Sequence, residues 1–107
     1  MDNTLKIRQL NDDMRRDRSG RWIMTSGIQA LGPVFMALAT QAVQGFTEFT
    51  ADNDPHGEHD FGAGTLYGQR IFWKIDYYDK SLSYGSDDPA DPAKTERVLT
   101  IMLAEEY

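Results

Sequence analysis

The feature that most constrains the fold is a predicted β-hairpin that ends in a long strand over Gln69–Tyr78. Tyr67-Gly68 has the composition of a tight turn, and the residues before it alternate as a partner strand would. Side chains on a strand point alternately to its two faces. The even-odd pattern therefore predicts a core face and a mixed face that is partly open to solvent or a ligand. The core face comprises Ile71, Trp73, Ile75 and Tyr77, and the mixed face comprises Phe72, Lys74, Asp76 and Tyr78.

The segments before the hairpin predict a helix, a strand and a second helix. Apolar residues at helical spacing predict a helix from Thr4 to about Asp17, with Gly20 as its stop. The apolar run in residues 21–25 indicates a strand with both faces buried or a central place in a sheet. Pro33 opens a second helix to about Phe49. In the alternative, this helix ends at Gly45 and residues 46–50 are extended.

The C-terminal region predicts a last helix after the hairpin. Asp91 would cap this helix, and Pro92 would open it. Val98, Leu99 and Met102 would form its apolar face, together with Leu103. The expected fold is α+β, a single small domain over residues 1–107 with the order α-β-α-β-β-α. It would contain an antiparallel sheet of about three strands with helices packed on one face.

Charge and cysteine content narrow the classes of function. The chain has 107 residues, a net charge of −6 and no cysteine. The first 21 residues are net basic, whereas residues 76–107 carry the largest acidic excess. Phosphate-backbone binding depends on Lys and Arg, so direct nucleic-acid binding is not expected. No apolar run is long enough to span a bilayer, and the first residues lack a signal-peptide pattern, so we expect a cytoplasmic protein.

The candidate site is the stretch of residues 52–62, which contains both histidines and four acids. One interpretation is calcium binding, because Asp52, Asp54 and His56 with Gly57 imitate the opening of a calcium loop. The twelfth position of that loop, which requires Glu, is Ala63. The calcium pattern is therefore incomplete.

A transition metal is the second interpretation of this stretch. His59 and His56 lie three residues apart, and two imidazoles with carboxylates would suit zinc or iron. The candidate metal ligands are His59, His56, Asp54 and Asp60. In a catalytic version, Glu58 would be the general base for a metal-bound water.

The third interpretation is structural, and it is the one that we favour. Asx residues, Pro55 and Gly57 favour turns, and His59 could hydrogen-bond a carboxylate or carbonyl to lock the loop onto the hairpin. The same residues could alternatively form a contact surface for a partner or ligand. The candidates for that surface are Asp52, Asp54, Glu58, His59, Asp60, Asp76 and Tyr78.

Several segments resemble the domain-of-unknown-function family 3768. They are residues 52–62, 68–79, 83–92 and 97–107, among them the runs Gly68-Gln69-Arg70-Ile71 and Asp88-Pro89-Ala90-Asp91-Pro92. The resemblance covers nearly the whole chain. It implies a short proteobacterial protein, often carried on mobile elements, and no activity or cofactor. The family often has an aromatic residue at the position of His56, which makes His59 the more interesting histidine.

From these patterns we expect a small acidic binding module without catalytic activity, acting through contacts with a protein partner. One version is an inhibitor of a host defence system, either anti-CRISPR or anti-restriction. This interpretation needs no cofactor. The alternative is a metal-binding protein or metal-dependent hydrolase centred on residues 52–60, with a divalent metal ion as its cofactor.

Overall fold

Two layers, one of helices and one of strands, make up the fold. The computed structural model describes residues 3–107. The elements are α1 (Thr4–Asp17), β1 (Arg21–Met24), α2 (Ser26–Gln29), α3 (Pro33–Gln44), β2 (Phe61–Leu66), β3 (Gln69–Tyr78), β4 (Glu96–Leu103) and a 3₁₀ turn (Ala104–Glu106). The predicted α+β class is confirmed.

The sheet has four strands in the order β1-β4-β3-β2. β2 and β3 pair antiparallel, as do β3 and β4, but β1 pairs with β4 in parallel. The expectation of about three strands, all antiparallel, was therefore wrong in both number and direction.

The last predicted helix is in fact β4, a central strand of the sheet. Leu99 and Ile101 are fully buried on the helix side, while Val98 and Met102 are nearly buried on the other. A run that is apolar at consecutive positions also satisfies helical spacing, so the pattern misled. A central strand needs apolar residues on both faces, and β-branched residues favour it.

β1 lies at an edge of the sheet, and the expectation of burial on both faces was wrong. Ile23 remains 51% exposed, whereas Trp22 and Met24 pack against the core. Its parallel partner β4 lies far along the chain, so the neighbouring residues do not reveal this position.

The helix boundaries also differ in detail from the predictions. α3 ends at Gln44, so the alternative end of this helix near Gly45 was right, and residues 46–50 have no regular secondary structure. α1 ends where predicted, but its left-handed terminal residue is Arg18, with φ of 50°, rather than Gly20. The four-residue helix α2 was not predicted.

The hairpin forms as predicted. Tyr67 and Gly68 both have positive φ, as a two-residue type I′ turn requires. Gly62 permits a close approach, because a Cβ at this position would overlap the indole nitrogen of Trp73.

The core lies between the helices and one face of the sheet. Ile71, Trp73 and Ile75 on β3 join Leu99 and Ile101 on β4, and the helices contribute Met14, Ile28, Phe35, Ala39 and Val43. Helices on one face are thus confirmed. We call the other side of the sheet the open face; on β2 and β3 it carries Phe61, Phe72, Lys74, Asp76 and Tyr78.

Candidate functional site

Residues 50–60 form a loop shaped by its own short hydrogen bonds. The backbone N–H of Asp54 donates to the carbonyl of Thr50 at 2.8 Å, and that of Gly57 donates to the carbonyl of Asp54 at 3.1 Å. The Asn53 amide donates to the carbonyl of Glu48 at 2.9 Å. These are the local bonds expected of Asx residues in turns.

Three side chains of α1 hold this loop, and we call them the clamp: Arg8, Asn11 and Asp12. The Arg8 guanidinium donates to the carbonyl of Gly57 at 2.5 Å, and the Asn11 amide donates to the carbonyl of Glu58 at 3.0 Å. Asp12 Oδ1 lies 2.9 Å from His59 Nδ1. Because the three residues occupy successive positions on one side of a helix, they bind successive residues of the loop.

His59 is fixed by contacts from several directions. Its backbone has a φ of 56°, and its N–H donates to Asp54 Oδ1 at 3.2 Å. The ring stacks on Phe49, with centroids 3.8 Å apart and planes at 4°. Ring atom Nε2 lies 3.7 Å from Asp54 Oδ2. Both imidazole nitrogens therefore face carboxylates of the protein, which is the arrangement of a structural anchor.

Asn11, which is itself buried, is also the centre of a partly buried network with Glu58, Tyr77 and Arg97. Its amide donates to the Tyr77 hydroxyl at 2.8 Å, and its carbonyl accepts from Arg97 Nε at 2.9 Å. The Tyr77 hydroxyl donates to Glu58 Oε1 at 2.8 Å. Burial and this bond to Glu58 raise the pKa of Tyr77 well above its usual range. Burial lowers the pKa of Arg97, whose guanidinium lies 5.1 Å from the Tyr77 ring. The network joins the loop to β3 and β4.

Asp60 differs from the other acids of the loop. It is half-buried where the loop enters β2, and burial raises the pKa of its carboxyl. The negative charge of Glu58 raises it further. Folding therefore disfavours the ionised form of Asp60.

The predicted partner or ligand residues divide into two groups. Asp54, Glu58 and His59 lie in the loop with its clamp, and Asp60 follows them. Asp76 and Tyr78 lie on the open face, on the other side of the sheet from the helices that hold the loop. Asp52 is exposed at the loop surface. The structure therefore does not gather these residues into one site.

The metal ligand set is not assembled either. His56 is exposed. Within residues 3–107, no group of three or more His, Cys, Asp or Glu side chains is placed to hold a metal ion. The metal interpretation stays a prediction that titration with zinc or manganese would test.

A cleft of about 290 Å³ opens beside the His59–Phe49 stack. Arg15 forms part of its wall, and its guanidinium donates to Asp12 at 2.6 Å and to the carbonyls of Val43 and Phe46. Arg15 and Asp12 beside the stack thus pair with each other, and Asp12 also contacts His59.

Sequence reasoning missed the residues of α1 that organise this region. Asn11 and Arg15 follow Ile7 at intervals of four, so both lie on the apolar side of the helix. Their burial, at 0% and 4% exposure, marks them as structural polar residues. A polar residue within an apolar stripe was the available signal. The partners of Asn11 lie 47 to 86 residues away along the chain, so no local pattern predicts them.

Comparison with known proteins identifies a family. A family model described as "Protein of unknown function (DUF3768)" matches residues 24–106. No match was found among curated proteins or among solved structures. Over residues 3–107, the helices are all too short or too polar to cross a bilayer. The matched region contains most of the helices and strands described above, from α2 to the 3₁₀ turn. The chain therefore belongs to the DUF3768 family.

Proposed function

We propose that the protein is a non-enzymatic binding module that contacts a partner protein through the open face of its sheet. The observation that supports this most is an aromatic cluster on that face, formed by Phe61, Phe72 and Tyr107. The Phe61 and Phe72 ring centroids lie 5.4 Å apart, and Tyr107 packs edge-on against Phe72 at 5.5 Å. Tyr107 is nevertheless 75% exposed. Phe61 and Phe72 are half-buried, so the cluster reaches the surface mainly through Tyr107, and aromatic groups that reach the surface are typical of interaction surfaces.

The charged groups near the cluster fit a contact surface better than a catalytic site. Lys74 Nζ lies 2.8 Å from Asp76 Oδ2, and Arg21 pairs with Glu96 across the same face. Because these four charges are paired, aromatic burial would provide most of the contact energy. Aromatic anchors inside a polar rim are the usual arrangement of binding hot spots.

A more specific version concerns the biology of mobile elements. With a net charge of −6, the protein would attract a basic partner, such as a nucleic-acid-binding defence protein. In this version, its carboxylates take the place of nucleic-acid phosphates, and the protein acts as an anti-CRISPR or anti-restriction inhibitor of a host defence protein. The complex would then weaken steeply as salt rises.

Affinity purification from a lysate of the native host cells tests the proposal. Tagged wild-type protein should retain a partner at low salt, and Tyr107→Ala should lose most of it. His56→Ala is the matched control, because His56 is exposed in the loop away from the aromatic cluster. The proposal fails if no partner is retained, or if Tyr107→Ala retains the partner as well as the wild type does.

A further inference from the structure

The free edge of β2 is built differently from the other edge of the sheet. On β1, the side-chain amide of Gln29 donates to the carbonyl of Met24 at 2.8 Å, which covers part of that edge. β2 is six residues long and contains no charged residue and no proline. Natural proteins usually protect an edge strand with such residues, because its unpaired backbone groups can pair with another chain.

The register of the hairpin shows which backbone groups face outward. The N–H of Ile75 donates to the carbonyl of Asp60 at 2.8 Å, so residue 60 faces β3. Backbone groups alternate in direction along an antiparallel strand. Gly62, Gly64 and Leu66 therefore also face β3. Phe61, Ala63 and Thr65 direct their N–H and C=O groups to the free edge.

The surroundings of this edge indicate what could pair with it. A groove of about 340 Å³ separates Ala63, Gly64 and Thr65 from the end of α3 and residues 45–48. Small residues line much of it, and its one acidic residue is Glu48. No Lys or Arg occurs between Arg21 and Arg70, whereas this stretch contains five acids. The groove side of the edge therefore favours a basic side chain.

The open-face side of the same edge has the opposite preference. Phe61 and Ala63 point to that face, and Arg70 lies opposite Thr65 on β3. Arg70 would repel a basic side chain there, whereas Phe61 offers an apolar contact. Because side chains alternate along a strand, basic and apolar residues should alternate in the segment that binds.

From these observations we infer that the free edge of β2 accepts an extended segment of a partner protein as a fifth strand, with basic residues toward Glu48 and apolar residues beside Phe61. Main-chain hydrogen bonds to Phe61, Ala63 and Thr65 would hold the segment, and the alternating side chains would select it. This inference rests on the proposed function, since the added strand would extend the open face next to the aromatic cluster.

An alternating Lys–Val octapeptide is the probe that tests the inference, with an alternating Glu–Val octapeptide as its charge control. NMR-detected amide exchange should slow at Phe61, Ala63 and Thr65 when the Lys–Val peptide is added. Ala63→Pro removes one outward N–H without breaking a bond to β3, so it should weaken binding by about tenfold or more. Ala63→Ser keeps the N–H and should bind as the wild type does. Glu48→Gln should weaken binding by up to about fivefold.

Four results would overturn the inference: no slowing at these amides with peptide up to about 1 mM, equal binding of the Glu–Val peptide, no effect of Ala63→Pro, or a wild-type dimer in light scattering that Ala63→Pro converts to a monomer. The exchange measurement uses the wild type, so it decides the matter even if Ala63→Pro does not fold. It also involves no cellular partner. If the peptide test fails while Tyr107→Ala still loses the cellular partner, the edge contact is refuted and the open-face proposal stands.

Discussion

At the scale of single residues, Asn11 joins the loop to the sheet. Its amide and carbonyl make three hydrogen bonds while the residue is fully buried. A buried polar group that loses its partner keeps the cost of its desolvation. Tyr77 and Arg97 therefore both depend on Asn11, and its loss removes one hydrogen-bond partner from each of them.

Replacing Asn11 with Ala should destabilise the protein by about 2–3 kcal/mol, because the Tyr77 hydroxyl, Arg97 and the Glu58 carbonyl each lose a partner. Gln9→Ala is the control, since Gln9 lies on the exposed side of the same helix and should change stability by less than about 0.5 kcal/mol. Urea denaturation followed by circular dichroism measures both. Equal stabilities for the two variants would show that the network contributes nothing.

Asp60 makes stability depend on pH. Burial raises its pKa in the folded state, so the folded protein holds the proton more tightly than the unfolded chain does. The Asp60 contribution is therefore most favourable below its unfolded pKa, and it is lost as the pH rises from about 4 through the raised folded value.

Asp60→Asn removes this charge, so the variant should be more stable than the wild type at pH 7, and the difference should shrink toward pH 3. Thermal unfolding across this pH range measures it, with Asp52→Asn as the control because Asp52 is exposed in the same loop. A difference between Asp60→Asn and the wild type that does not change with pH would contradict the argument.

At the scale of elements, the contact between β2 and β3 depends on Gly62. The indole N–H of Trp73 lies buried beside this glycine, without a hydrogen-bond partner among the described residues. Gly64, two residues further on, has open space where a Cβ would lie. The two glycines point to the same side of one strand, yet only one is required by packing.

Gly62→Ala should therefore cost about 1–3 kcal/mol, because Trp73 or the strand must move to admit the methyl group. Gly64→Ala should be neutral or slightly stabilising, since alanine loses less backbone entropy in a strand than glycine does. Chemical denaturation of the two variants compares them directly. If they prove equally stable, the close contact does not constrain the hairpin.

The predictability of each element follows from the range of the interactions that form it. The β2–β3 hairpin is a local structure, and its turn and alternation sufficed to predict it. β4 was mistaken for a helix, because its apolar run fits both periods and only a central place in the sheet decides between them. Its parallel pairing with β1 connects Arg21 to Val98, and the bonds of Asn11 reach from α1 to β3 and β4. Such long-range contacts leave no local pattern in the sequence.

At the scale of the whole molecule, the two sides of the sheet are covered differently. The helix side of the sheet is covered by the hydrophobic core. On that side the clamp and the network around Asn11 form hydrogen bonds with the polar groups of the loop at residues 50–60. On the open face Val98 and Met102 are covered, but the aromatic cluster reaches the surface at Tyr107, and it meets the unprotected edge of β2 at Phe61. We therefore propose that the loop provides structural support and that the sheet recognises the partner.

Hydroxyl-radical footprinting of the purified complex tests this assignment most directly, because it reports the solvent exposure of individual aromatic and histidine side chains. The account predicts that Phe61, Phe72 and Tyr107 lose reactivity when the partner binds, while His56 in the loop and Tyr84 in the loop before β4 react as in the free protein. Protection of His56 and His59 with unchanged reactivity of the three aromatic residues would place the partner on the loop and contradict the account.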